Sequence, residues 1–137
     1  MTTPVPGGLP EANVAAGTMT QLAAKEAALV DGPGVAIAVH REGDRVVVDI
    51  GGEVDVIGAA ELSGVMRDLV AEGAADVVLD LSDVTFIDST GLSALVTSRN
   101  LCQSHDGDLT LRAPSPRAWR LLTLTGLDTI FAVDQDL

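Results

Sequence analysis

Val77-Val78-Leu79-Asp80-Leu81-Ser82-Asp83-Val84-Thr85-Phe86-Ile87-Asp88-Ser89-Thr90-Gly91-Leu92 opens on an apolar run and closes on a tetrapeptide suited to the mouth of a helix. Val77, Val78 and Leu79 follow one another without alternation, as in a parallel strand covered on both faces. Asp and Ser are favoured helix N-caps, so Asp88-Ser89-Thr90-Gly91 predicts a buried strand handing over to a helix. A strand followed at once by a helix is the building unit of a parallel α/β sheet. Asp80 and Asp83 bracket a loop in this reading, as solvated turn residues.

The same unit recurs on either side. Upstream, Val35, Ile37 and Val39 alternate, Glu42-Gly43-Asp44 supplies turn chemistry, and Val46, Val48 and Ile50 alternate again, which predicts a β-hairpin. Ala59, Leu62, Met66, Leu69 and Val70 then recur at helical spacing, predicting a helix over about 58–72 that Gly73 stops. Downstream, Leu92, Leu95, Val96 and Cys102 form the buried stripe of a second helix, ended by Asp106-Gly107-Asp108 before a short strand from Leu109 to Leu111. Ser115-Pro116 starts a third helix that buries Ala118, Leu121 and Leu122, Gly126 closes it, and Ile130, Phe131 and Val133 offer an edge-like strand. The expected fold class is α/β: an open mixed β-sheet of about four to five strands, an N-terminal hairpin then alternating helices and strands, with helices packed on it and right-handed crossovers. No internal repeat is visible.

Residues 1–33 are expected to be a flexible N-terminal extension, since Pro4, Pro6, Gly7, Gly8 and Pro10 oppose regular structure, and residues 34–137 the folded domain. Met19, Leu22, Glu26, Leu29 and Val30 approximate a helical stripe there, compatible with a short docking helix or a weakly ordered arm.

Composition narrows the function. The 137 residues fit one domain, and with Phe86, Phe131 and Trp119 the only aromatic residues, the core must be built from Val, Leu, Ile and Ala. A net charge of -12 repels a phosphate backbone, so no nucleic acid is expected as a partner. Cys102 is the only cysteine, and His40 and His105 are far apart, so neither a disulfide, nor a structural metal, nor any cofactor is expected. No apolar run approaches the roughly 18 residues that span a bilayer, and the first basic residue is Lys25, too late for the head of a signal peptide. No membrane association is expected, and the default address is cytoplasmic.

Two segments are candidate sites. At Asp88-Ser89-Thr90-Gly91 a capping role alone would justify the residues. A solvent-facing hydroxyl at a helix N-terminus also tolerates phosphate, because free N–H groups and the positive dipole end offset its charge. Ser89 is the candidate acceptor and Thr90 a second hydroxyl beside it. Gly51-Gly52-Glu53-Val54-Asp55 reads either as a flexible corner between strand and helix, with Asp55 at a helix dipole, or as an acidic contact surface of Glu53 and Asp55 for a basic or nucleotide-loaded partner. The chain lacks G-x-S-x-G, the P-loop and a strand-linked G-x-G-x-x-G, so no enzymatic activity is expected.

Set in order, these residues resemble the STAS family, and within it the bacterial anti-sigma factor antagonists. Gly52-Glu53-Val54-Asp55 before a helix, Val77 to Leu81 leading through Val84-Thr85-Phe86-Ile87 into Asp88-Ser89-Thr90-Gly91-Leu92, and Leu121 to Phe131 with Leu124-Thr125-Gly126-Leu127 carry the resemblance, over Val35 to Val133. Two departures stand out: Val54 replaces the commoner Leu, and the N-terminal extension is longer. The resemblance implies partner switching. The unphosphorylated antagonist binds an anti-sigma factor with a histidine-kinase-like ATPase domain that is also a serine kinase, and so frees a sigma factor. The kinase phosphorylates the serine after the aspartate, here Ser89, and a serine phosphatase resets it. By the same implication Asp55 helps engage the kinase, and Glu53, Asp55, Asp88, Ser89, Thr90 and Gly91 form the partner-binding set. The alternative is a non-switching STAS module that binds a small ligand or serves as a signalling scaffold, with Ser89 an ordinary cap.

Overall fold

The computed structural model describes residues 27–31 and 34–135. Along the chain these form β1 (Ala27–Asp31), β2 (Val35–Glu42), β3 (Arg45–Val54), α1 (Val56–Ala71), β4 (Asp76–Ile87), α2 (Ser89–Gln103), β5 (Asp108–Arg112), α3 (Pro116–Thr125), a 3-10 turn (Leu127–Thr129) and β6 (Ala132–Asp134). The six strands make one mixed sheet in chain order. β1, β2 and β3 pair antiparallel, whereas β3, β4, β5 and β6 pair parallel. Each helix therefore starts at the carboxyl end of one parallel strand and returns to the start of the next.

The two periodicities of the sequence meet in one core. Ile37 and Val39 of β2, Val48 and Ile50 of β3, Leu79 and Leu81 of β4, and Leu109 and Leu111 of β5 cluster with Leu62, Met66, Leu69, Leu95 and Leu122 of the helices. Phe131 is the one aromatic side chain buried there, as the aliphatic composition requires. Burying one such Leu or Ile fully is worth about 1.5–3 kcal/mol, and cutting one back to Ala in a packed core costs about 2–5 kcal/mol. Leu62, fully buried at the centre of α1, is such a position.

The hairpin, the central β4, the three helices, the Ser115 cap with Pro116 behind it, and the left-handed closure at Gly126 (φ 77°) follow the pattern read from the sequence. Five details differ. The sheet has one strand beyond the expected four to five: β1 forms antiparallel to β2, so Leu29 and Val30 lie in a strand rather than a helix, while Met19, Leu22 and Glu26 lie outside the described residues. Asp80 and Asp83 do not bracket a loop. They lie inside β4, where the pairing with β3 shifts between Asp49 and Gly51, and Asp80 Oδ1 accepts bonds from the Ser82 backbone N–H (3.0 Å) and hydroxyl (2.6 Å). Gly51 to Val54 are likewise the paired end of β3 rather than a flexible corner. Ile130 and Phe131 precede β6 instead of joining it.

The fifth difference concerns Val77-Val78-Leu79. All three are buried, but only Val77 and Leu79 belong to the core beneath the helices. Val78 lies on the other face, in a row with His40, Val47 and Thr110. Across that row Arg112 of β5 reaches Glu42 of β2 with two bonds, Nη2 to Oε1 at 2.8 Å and Nη1 to Oε2 at 3.2 Å. Among the described residues, an ion pair spans the second face of the central strands. The two Arg112 bonds, helped by His40, hold the Glu42 carboxyl well below the usual range, at about 2.

Candidate functional site

β3 and β4 run side by side with Val54 opposite Ile87, so the residues that follow, Asp55 and Asp88, leave neighbouring strands at the same level. Both keep extended backbone (φ -95°, ψ -159° and φ -117°, ψ -170°), and both cap the helix that follows. Asp55 Oδ1 accepts from the N–H of Ile57 (3.1 Å) and of Gly58 (3.0 Å), and the Asp55 carbonyl accepts from Ala59 N–H (2.7 Å). Asp88 Oδ1 accepts from Gly91 N–H (3.0 Å), and its carbonyl accepts from Leu92 N–H (3.0 Å). These bonds satisfy backbone donors that a helix start leaves orphaned.

Both junctions share the frame Asp-x-x-Gly: Asp55-Val56-Ile57-Gly58 and Asp88-Ser89-Thr90-Gly91. In each the glycine is buried and permits close approach. A Cβ at Gly58 would lie 2.5 Å from the Glu53 carbonyl oxygen and 3.4 Å from Val35 Cβ. A Cβ at Gly91 would collide with the Val54 carbonyl oxygen and lie 2.7 Å from Ile87 Cγ1. The second helix start thus rests on the strand end that feeds the first. The two residues between cap and glycine are exposed in both frames.

The expected site residues fall into three kinds. Ser89 and Thr90 are exposed, and Ser89 is the first helical residue, not the cap. Among the described residues no hydrogen bond uses either hydroxyl. The capping reading therefore belongs to Asp88, because the strand conformation persists through residue 88 and the helix begins one residue later. Asp55 and Asp88 are half-buried and committed to backbone N–H groups, Glu53 is exposed, and Gly91 lies buried beneath them. Glu53 pairs in register with Phe86, and the Arg117 guanidinium stands 5.4 Å from the centre of the Phe86 ring, against its aromatic face. None of the ion pairs among the described residues involves Glu53, Asp55 or Asp88. The Leu124-Thr125-Gly126-Leu127 segment is elsewhere: it ends α3, which starts at the carboxyl end of β5 and finishes where the chain turns back into β6, at the opposite end of the parallel strands.

What the sequence reading missed is Val56 and Ile57, which stand 64% and 71% exposed at the first turn of α1. The signal was the Asp-x-x-Gly frame where it precedes a helix, at Asp55 and at Asp88. Cys102 is fully buried, and burial pushes its thiol up to about 11, which keeps it protonated. Among the described residues no cluster of His, Cys, Asp and Glu is arranged to hold a metal ion, and no helix is long and apolar enough to cross a membrane.

The chain is similar to several known proteins. It is 33% identical over 88 residues to the anti-sigma-B factor antagonist of Staphylococcus aureus, covering 64% of this chain and 82% of that one. A crystal structure of an anti-sigma factor antagonist from Mycobacterium paratuberculosis superposes with a TM-score of 0.69 at 29% identity, over 79% of this chain and 92% of that one. The phosphorylated form of the Bacillus cell fate determinant SpoIIAA, 18% identical, shares the fold with a TM-score of 0.58 over 72% of this chain and 90% of that one. The STAS domain model matches residues 36–137, a span that takes in both junctions, and the chain therefore belongs to the STAS domain family.

Proposed function

We propose that this protein is an anti-sigma factor antagonist that binds its partner through the paired junctions and is switched off by phosphorylation of Ser89. The observation that carries the reading is the separation of labour at the second junction. Asp88 caps the helix, which leaves the Ser89 hydroxyl exposed and uncommitted. A phosphate at that hydroxyl adds about -1.5 to -2 charges and three acceptor oxygens. The positive end of α2 offsets part of that charge, so the domain keeps its fold. The surface, however, already carries Glu53, Asp55 and Asp88, and a partner that must match this surface meets about half as much negative charge again. A loss of about 1.4 kcal/mol in complementarity is tenfold in affinity, so repulsion of a few kcal/mol suffices without refolding.

The partner in this reading is an anti-sigma factor with a histidine-kinase-like ATPase domain that acts as the serine kinase, and a serine phosphatase restores the binding form. Glu53, Asp88, Ser89 and Thr90 contribute side chains, Asp55 contributes by holding the first turn of α1 through its cap, and Gly91 contributes by letting α2 sit close. The similarity to anti-sigma factor antagonists at about 30% identity supports the assignment. The test is incubation with the candidate kinase and ATP, location of the phosphate by mass spectrometry, and measurement of binding before and after. Phosphate on Ser89 and loss of binding, reproduced by Ser89→Asp, are expected. A Ser89→Asp variant that binds as tightly as wild type, with Ser89 left unmodified by kinase and ATP, would overturn the switch and favour a non-switching module.

A further inference from the structure

We infer that Val56 and Ile57 are the apolar anchor of the partner interface, and that Asp55 serves that interface as a positioning residue, through its cap, rather than as a charge presented to the partner. The inference rests on the antagonist reading above and names the side chains that carry its binding energy.

Four large apolar side chains are exposed among the described residues, and Val56 and Ile57 are the only two adjacent in sequence. Neither position is explained by the fold. β-branched residues are mediocre helix formers, and at the first turn of α1 they bury little against the core. Both are held rigidly nonetheless. Asp55 Oδ1 bonds the N–H of Ile57 and of Gly58, and Gly58 is pressed against the Glu53 carbonyl and Val35, so the turn that displays the two side chains is pinned from both sides. A rigid, stiff-rotamer apolar pair loses little entropy when it is covered, which is the property of an interface anchor.

What covers it is the partner of the antagonist reading, for two reasons. The pair emerges beside Ser89 and Thr90, because Val54 and Ile87 are register partners and Gly91 rests on Val54, so a protein that reaches the Ser89 hydroxyl also meets Val56 and Ile57. The rim is acidic without counting Asp55: Glu53, Glu61 and Asp88 flank the pair and none of them joins an ion pair among the described residues, on a chain of net charge -12. The complement is an apolar depression framed by basic side chains. A second copy of this chain would bring acid against acid, which disfavours self-association through this end.

The commitment of Asp55 to two backbone N–H groups separates its two possible roles. Asparagine keeps an oxygen acceptor and loses the charge, whereas alanine loses both. Full-length wild type, the double variant Val56→Ser/Ile57→Thr, Asp55→Asn and Asp55→Ala would be titrated calorimetrically with the serine-kinase anti-sigma factor identified in the phosphorylation test, with urea unfolding of each as the fold control. Removing an anchor of this kind weakens binding by about ten- to a hundredfold, and the double variant should do so with an unchanged unfolding midpoint. Asp55→Asn should bind like wild type and Asp55→Ala more weakly. A double variant that binds like wild type overturns the anchor, and Asp55→Asn as weak as Asp55→Ala overturns the positioning role. Both results leave the antagonist reading standing if wild type binds and is phosphorylated. Failure of wild type itself to bind overturns that reading and the anchor together.

Discussion

The junction of β3 with α1 and the junction of β4 with α2 are built alike and display opposite chemistry. Each has an extended Asp that caps, two exposed residues, and a buried glycine that lets the helix lie on neighbouring backbone. The first shows Val56 and Ile57, the second Ser89 and Thr90. The difference teaches which residues serve the frame and which are free to serve a partner. Asp and Gly are fixed by hydrogen bonding and by space. The pair between them touches little of the protein, so its identity is open to be set by what it meets outside.

The frame breaks most readily at its glycines. Gly91→Ala should cost about 1–3 kcal/mol by overpacking, because the new methyl meets Val54 backbone, Ile87 and Val54 Cγ1 at once. Gly58→Ala should cost less, since only the Glu53 carbonyl lies inside contact distance and Val35 Cβ is at 3.4 Å. Urea unfolding of the two variants side by side checks that order. Next come the caps: Asp55→Ala and Asp88→Ala should each lose about 1 kcal/mol, Asp55 the more because it satisfies two N–H groups to the one held by Asp88, with Asn restoring most of the loss in both. A smaller effect is expected where the frame is not touched. Ser89→Ala should change stability by less than about 0.5 kcal/mol while abolishing phosphate incorporation, and a larger loss in thermal unfolding would return Ser89 to a capping role.

The smallest effect lies away from both junctions and sharpens the comparison by supplying a control. Glu42 has its carboxyl depressed to about 2 by Arg112 and His40. A depressed acid stabilises the fold above its unfolded pKa of about 4.3, and that contribution disappears as pH falls from there through about 2. Glu42→Gln should therefore flatten the acid limb of the stability curve below about pH 4 while leaving partner binding unchanged. The effect is modest because the pair is open to solvent. Altered binding at neutral pH would show that the sheet face communicates with the junctions.

Much of this was legible in the chain because periodicity and caps act locally. The alternation of β2 and β3, the helical stripes, and Ser115-Pro116 each need only a few neighbouring residues, and the elements formed where those signals lay. β1 was not legible, because Ala27–Asp31 carries no alternation and becomes a strand only by pairing with β2. The cap at Asp88 could not be told from one at Ser89, since both residue types cap well and only the last extended backbone angle decides. The Asp-x-x-Gly frame is too short to register as an internal repeat and also occurs from Asp31 and from Asp49, and the copies at Asp55 and Asp88 matter together only because parallel pairing sets them side by side. The bond between Arg112 and Glu42 joins residues 70 positions apart in the chain and leaves no local trace.

That bond also clamps the two halves of the sheet together. Glu42 belongs to the antiparallel hairpin and Arg112 to the parallel strands, with β3 and β4 between them, so parting or sliding the hairpin must break a charged tether as well as the backbone ladder.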